Sequence, residues 1–176
     1  MRELARQLKI KAGSLYYHIS SKDQLLNEIC EIGLDGLSSN IDQAVANNHG
    51  LPETIRSIVI GHVDLLKHYG SYLNCYQNEY VHLAADVREK MRRELVAFYH
   101  KIDDVFKRAR ANGETDPELD VKNARLALIA ILHQLSRLGT DHHHANLEST
   151  AEGFSTILIN GLARRSGEAG GKTPPS

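Results

Sequence analysis

The chain has 176 residues, 41 % of them apolar and 24 % charged, with a formal net charge of −1 and two cysteines. That profile fits one globular domain of ordinary size plus a small headpiece, and excludes a fibrous or compositionally disordered chain. Cys30 and Cys75 are too few and too widely spaced for a disulfide framework. No leader-like stretch precedes the charged start, and no apolar run approaches the ~18 residues of a membrane span, so a reducing cytoplasm is the expected compartment. Few strand-like alternations occur and only Pro52 and Pro117 stand ahead of the tail, so the expected fold is all-α.

In Met1–Leu8, Leu4, Ala5 and Leu8 form one apolar stripe while Arg2, Arg6 and Gln7 face away. Lys9–Ala12 interrupts the period, and Gly13-Ser14 opens a second short helix on which Leu15 and Ile19, four apart, share a side. Ser21 followed by Gln24 is a capping box that starts a third helix at Lys22. Two short helices across a tight turn predict a helix-turn-helix whose second helix suits the DNA major groove. From Met1 to Lys22 five basic residues face one acid, whereas the rest carries sixteen basic and twenty-one acidic residues. A positive end on an otherwise acidic protein is the footprint of a polyanion such as duplex DNA, although charge alone is equally consistent with a solvated surface helix.

Arg2-Glu3-Leu4-Ala5, Gly13-Ser14-Leu15-Tyr16-Tyr17-His18 and Ser21-Lys22-Asp23-x-Leu25-Leu26 resemble the DNA-binding segment of the tetracycline-repressor (TetR) family. The resemblance implies a helix-turn-helix headpiece over 1–26 and a helical ligand-binding and dimerisation domain over 27–165, with a disordered tail at 166–176. It implies a ligand-responsive transcriptional repressor, not an enzyme, whose partners are double-stranded DNA, a small-molecule effector and a second copy of the chain. Tyr16, His18 and Lys22 match the family's phosphate- and groove-facing positions. Lys11, Gly13, Ser14 and Tyr17 complete the candidate DNA site, with Lys11, Ser14 and Tyr17 facing base edges; Tyr16 packing beneath the headpiece is the alternative. Family members usually carry one more helix before this point, and Lys9 and Ile19 stand where the family often has glycine and phenylalanine. Forcing Lys9 to positive φ costs on the order of 1 kcal/mol. Fraying before about Lys22 and a weak hold on DNA are therefore expected.

The third helix, from about Lys22 to Asn47 or Asn48, has the length of a connector and buries Leu25, Leu26, Ile29, Ile32, Leu37, Ile41 and Val45. Gly33 and Gly36 allow either close packing or a bend. His49-Gly50 ends it. A helix from Glu53 to Tyr69 buries Ile55, Ile58, Val59, His62, Val63 and Leu66, and Gly70 is expected to break it before an aromatic-rich segment, Tyr72 to Tyr80. A long helix over 84–112 keeps Val87, Met91, Leu95, Phe98, Ile102, Val105 and Ala109 on one stripe and ends at Asn112-Gly113. After a turn around Pro117, Asp120 caps a helix to Gly139 whose centre, Leu126 to Leu132, is apolar on every face and calls for a second chain as cover. The last helix, about Leu147 to Leu162, presents Phe154, Ile157, Leu158, Gly161 and Leu162, so two helices from each chain predict a symmetric four-helix interface.

For a ligand, the chain offers His62, Tyr69, Tyr76, Tyr80, Tyr99 and His133, with Tyr72 and His100, as polar groups on otherwise apolar faces. His62 leads because its helical neighbours all face the core, although a core histidine can equally be a hydrogen-bonded structural residue. Asp141-His142-His143-His144 reads as surface-loop histidines rather than a metal site, and Gly171-Lys172-Thr173 lacks the strand and first glycine of a phosphate loop. No metal and no other cofactor is expected, nor does any nucleophile–base spacing suggest catalysis. Glu89, Arg92 and Arg93 read as an exposed charge cluster. The competing class is a helical small-molecule-binding or scaffold protein without DNA-binding activity.

Overall fold

The computed structural model describes residues 6, 11, 13, 19, 21–47, 49–140 and 146–162. Five α-helices make up this part: α1 (Lys22–Asn47), α2 (Leu51–Glu79), α3 (Ala85–Ala111), α4 (Val121–Thr140) and α5 (Leu147–Leu162), with a 3-10 turn, Tyr80–His82, between α2 and α3. α2 is the hub: it packs most extensively on α1 and also on α4 and α5, while α3 bridges α1 and α4.

Local chemistry sets most helix ends. Ser21 Oγ accepts from the Gln24 amide at 3.0 Å and starts α1 at Lys22. Asp120 Oδ1 accepts from the amides of Lys122 and Asn123 at 2.9 and 3.2 Å, and Asn146 Oδ1 accepts from that of Ser149 at 2.9 Å. α3 ends in a Schellman motif: the Gly113 amide donates to Arg110 O at 3.1 Å and the Glu114 amide to Ala109 O at 2.9 Å, with Gly113 at φ +74°. α2 is capped from far away, because the Glu114 carboxylate accepts from the Leu51 amide at 2.6 Å and so ties the end of α3 to the start of α2.

The expected break at Gly70 does not occur. α2 runs on to Glu79, and the aromatic-rich segment forms its last turns. One helical glycine costs only about 1 kcal/mol, whereas burying a leucine recovers roughly 1.5–3 kcal/mol; Leu73, 1 % exposed, anchors the extension. α1 likewise passes unbroken through Gly33 and Gly36. A Cβ at Gly36 would lie 3.7 Å from Leu65 Cδ2, ordinary contact, so packing does not require glycine there. Gly61 on α2 is the tight spot, where a Cβ would fall 2.1 Å from Asn40 Oδ1. Asn40 is held by donating to Ile58 O at 2.9 Å.

The core follows the predicted stripes through Ile55, Ile58, Val59 and Val63 of α2 and Met91, Phe98, Ile102 and Val105 of α3, to which Phe106 is added. α4 buries Leu128, Leu132 and Leu135 yet leaves Leu126 49 % exposed, with Ala127 and Ala130 also outward. α5 exposes Ile157 at 69 %, flanked by outward Gly153 and Gly161. Glu89 and Arg92 form an exposed ion pair at 2.9 Å.

Candidate functional site

A cavity of about 210 Å³ lies where α1, α3, α4 and the 3-10 turn meet, lined by Leu37, Tyr80, Leu95, Phe98, Tyr99, Ile129 and His133. Each residue arrives by helix periodicity. Leu95 and Tyr99 are one turn apart on α3, Ile129 and His133 one turn apart on α4, and Leu37 faces inward from α1. Tyr80 is fixed by a clasp to α3, since its hydroxyl approaches Arg88 O at 3.4 Å and Arg88 Nη1 donates to Val81 O at 3.1 Å.

The walls are apolar and aromatic, with the Phe98 and Tyr99 rings 5.9 Å apart. The polar groups are few. Burial raises the Tyr99 phenol above its ordinary pKa, partly offset by the nearby Arg125 guanidinium, so it stays a neutral donor and acceptor. His133 stands at the rim, exposed on its outer side. The water it loses on the cavity side lowers its pKa and favours the neutral ring. Behind Tyr99, Arg125 lies 5.1 Å from the ring centroid and pairs with Asp103 at 2.6 Å, both side chains mostly buried. That pair makes Tyr99 a rigid wall rather than a mobile one.

Of the predicted ligand residues, the cavity brings together Tyr80, Tyr99 and His133. His62 lies elsewhere, fully buried between α2 and α4. Its Nε2 sits 2.9 Å from Ser136 Oγ, whose hydroxyl donates to Leu132 O at 3.1 Å, so the ring supplies the proton to Ser136. Nδ1 has no hydrogen-bond partner among the described residues. Burial lowers the His62 pKa to about 4, so it is a neutral brace. Tyr69, 43 % exposed, borders a separate open groove of about 600 Å³ between α1 and α2, and its ring is 6.0 Å from that of Tyr72. The Tyr76 side chain lies outside the described residues. The lining residues Leu37, Leu95, Phe98 and Ile129 carry no sequence mark, because a cavity wall and a core share one periodicity.

In the DNA segment, Lys11, Gly13 and Lys22 are exposed; Ser14, Tyr16, Tyr17 and His18 lie outside the described residues, as does Asp141–His144. Among the described residues no three His, Cys, Asp or Glu side chains are grouped to hold a metal. No helix there is long and apolar enough to cross a membrane.

A helical body with a half-open cavity, one wall of which belongs to the long helix that follows the basic N-terminal segment, suits the class of one-component transcriptional regulators. Residues 50–137 match the tetracyclin repressor-like C-terminal domain and residues 1–29 match the bacterial regulatory proteins of the tetR family. The chain belongs to the TetR family. It is 25 % identical over 164 residues to the HTH-type transcriptional repressor KstR2 of Rhodococcus jostii, covering 93 % of this chain and 80 % of that protein. Its fold is similar to that of the ketosteroid transcriptional regulator KstR2 of Mycobacterium tuberculosis, with a TM-score of 0.82 at 19 % identity, covering 93 % of this chain and 84 % of that one. It is also similar to AibR in complex with isovaleryl coenzyme A and operator DNA, with a TM-score of 0.77 at 18 % identity, covering 90 % and 85 %.

Proposed function

We propose that the chain is a repressor that binds a near-palindromic operator as a homodimer and is released by a small-molecule effector held in the Tyr80–Tyr99–His133 cavity. The observation that carries this reading is Leu37. The helix that leaves the DNA-binding segment at Lys22 forms, four turns on, part of the cavity wall. An effector that needs more room there presses on the same rigid rod that sets the position of the headpiece. It shifts the dimer away from DNA only by its greater affinity for the headpiece spacing that does not fit. The cavity favours an apolar body with one or two hydrogen-bonding groups that reach Tyr99, Tyr80 or His133. AibR, solved in complex with both an acyl thioester and operator DNA, supports the idea that this fold serves both partners.

In this reading residues 1–26 are the headpiece, 27–165 the sensing and pairing body and 166–176 a tail. Lys11, Gly13, Ser14, Tyr16, Tyr17, His18 and Lys22 meet DNA, the two headpieces entering successive major grooves about 34 Å apart. α4 and α5 supply the dimer face through Leu126 and Ile157, around which Ala130, Gly153 and Gly161 permit close approach. The protein works in the cytoplasm by binding, without catalysis. The test is native mass spectrometry of protein purified from its host, followed by operator binding with the retained compound added. Retention of a compound that dissociates the DNA complex, and its loss in Tyr99→Ala, supports the assignment. Release from DNA by a compound that Tyr99→Ala still retains places the effector elsewhere. A retained compound in a chain that ignores DNA supports the small-molecule-binding alternative.

A further inference from the structure

The open groove of about 600 Å³ between α1 and α2 takes no part in the cavity at Tyr99, and it lies on the opposite face of α1 from Leu37. Two facing stripes build it. Ile32, Asp35 and Gly36 come from α1, and Asp64, Leu65 and Tyr69 from α2, each set spaced at a helical turn. The two helices run antiparallel: Asn40 donates to Ile58 O at 2.9 Å, and Gly36 lies against Leu65. At Gly36 the missing side chain leaves room beside Leu65. One turn nearer the headpiece, Ile32 and Tyr69 border the groove, 42 % and 43 % exposed.

We propose that this groove binds a small organic ammonium ion carrying an apolar body. Asp35 and Asp64 put two carboxylates on its walls, one from each helix, and no lysine or arginine lines it among the described residues. Asp35 makes no ion pair among the described residues; Lys90, the cation whose charge it feels, pairs with Glu31 instead. Asp64 pairs with Lys67 at 3.0 Å, but Lys67 also pairs with Glu148 of α5 at 2.8 Å, so one side-chain ammonium serves two carboxylates. The groove therefore keeps negative charge for a cation to neutralise. Ile32 and Leu65 offer that cation's body apolar contact, and the Tyr69 ring attracts the charge itself.

Other occupants fit less well. An anion is repelled by both carboxylates, and a neutral apolar body strips water from them without replacing its hydrogen bonds. A partner helix needs apolar contacts repeated over several turns. Here Ile32, Leu65 and Tyr69 span about one turn, and Ser39 and Gln43 make the far end polar. The volume is that of a small-molecule site. A cation seated there touches both helices, so it clamps the headpiece-bearing α1 to the hub α2 from the side away from the effector cavity.

The experiment titrates the isotope-labelled full chain at low salt with hexyltrimethylammonium, and separately with hexanoate and hexanol, following backbone amides by NMR. The expected result is saturable binding of one ammonium ion per chain, with the shifts clustered at Ile32, Gly36, Leu65 and Tyr69. Hexanoate and hexanol bind far more weakly, and added salt weakens the ammonium ion. Asp35→Asn, an exposed and conservative change, weakens it about fivefold or more. The proposal is overturned if the shifts cluster instead at Leu95, Tyr99 and Ile129, which places the ion in the effector cavity. It is equally overturned if hexanol binds as well as the ammonium ion, if Asp35→Asn changes nothing, or if no saturation is reached at millimolar concentration.

Discussion

His62 makes stability depend on acid in a way that can be calculated. Its ring is fully buried, and burial lowers its pKa from 6.5 to about 4. In the unfolded chain the ring takes up a proton as pH falls through about 6.5, while the folded chain refuses it until about 4. The stability contribution is thus fully present above pH 6.5 and is lost as pH falls toward 4. At about 1.4 kcal/mol for each pH unit crossed between those two values, the loss between pH 7 and pH 5 is about 2 kcal/mol, and about 3 kcal/mol is gone by pH 4. Against a typical total of roughly 5–15 kcal/mol this is a visible fraction. Replacing His62 by leucine keeps the volume, leaves Ser136 bonded to Leu132 O, and removes a buried Nδ1 without a partner among the described residues. His62→Leu is therefore expected to match or exceed the wild type at pH 7 and to lose about 2 kcal/mol less between pH 7 and pH 5. Urea denaturation at both pH values, with equal m-values, measures this. Parallel losses in the two proteins would show that His62 is solvated or proton-paired in the native state and would refute the reasoning.

Ile157→Asp places a charge on the uncovered face of α5, where symmetry counts it twice. Dimer association in sedimentation should weaken by about 3 kcal/mol, near two orders of magnitude in Kd, with the helical content kept. Asp103→Ala leaves Arg125 mostly buried with its carboxylate removed; a loss of about 3 kcal/mol in denaturant titration is expected, and a change under about 1 kcal/mol would mean that water already serves the pair. Gly113→Ala forces a side chain to φ +74° and should cost about 1 kcal/mol, read as a lower Tm. Ser21→Ala removes the cap of α1 and should speed amide exchange in the first turn of that helix alone, at a cost of about 1 kcal/mol.

The legible parts of the fold are those written locally. Ser21 with Gln24, Asp120, and Asn112-Gly113 each mark a helix end within four residues, and each marks it in the structure. Gly70 misleads because its cost is local whereas the burial of Leu73 that outweighs it is tertiary. The cap of α2 by Glu114, 63 residues distant, has no sequence signature at all. For the cavity, the chemistry of Tyr80, Tyr99 and His133 is readable as polar groups on apolar faces, but so is that of His62, which the packing turns into a brace with Ser136. Only the arrangement of α1, α3 and α4 separates a wall from a core.

That the basic front end reads duplex DNA on behalf of a paired helical body is tested most directly by a salt series of fluorescence anisotropy. The duplexes are promoter fragments from the chain's own genomic neighbourhood. The expected result is one fragment held far more tightly than random duplex, two chains per site, and a log–log salt slope between about −4 and −9 as the headpieces neutralise phosphates. Equal, negligible binding to every fragment at low salt would contradict it.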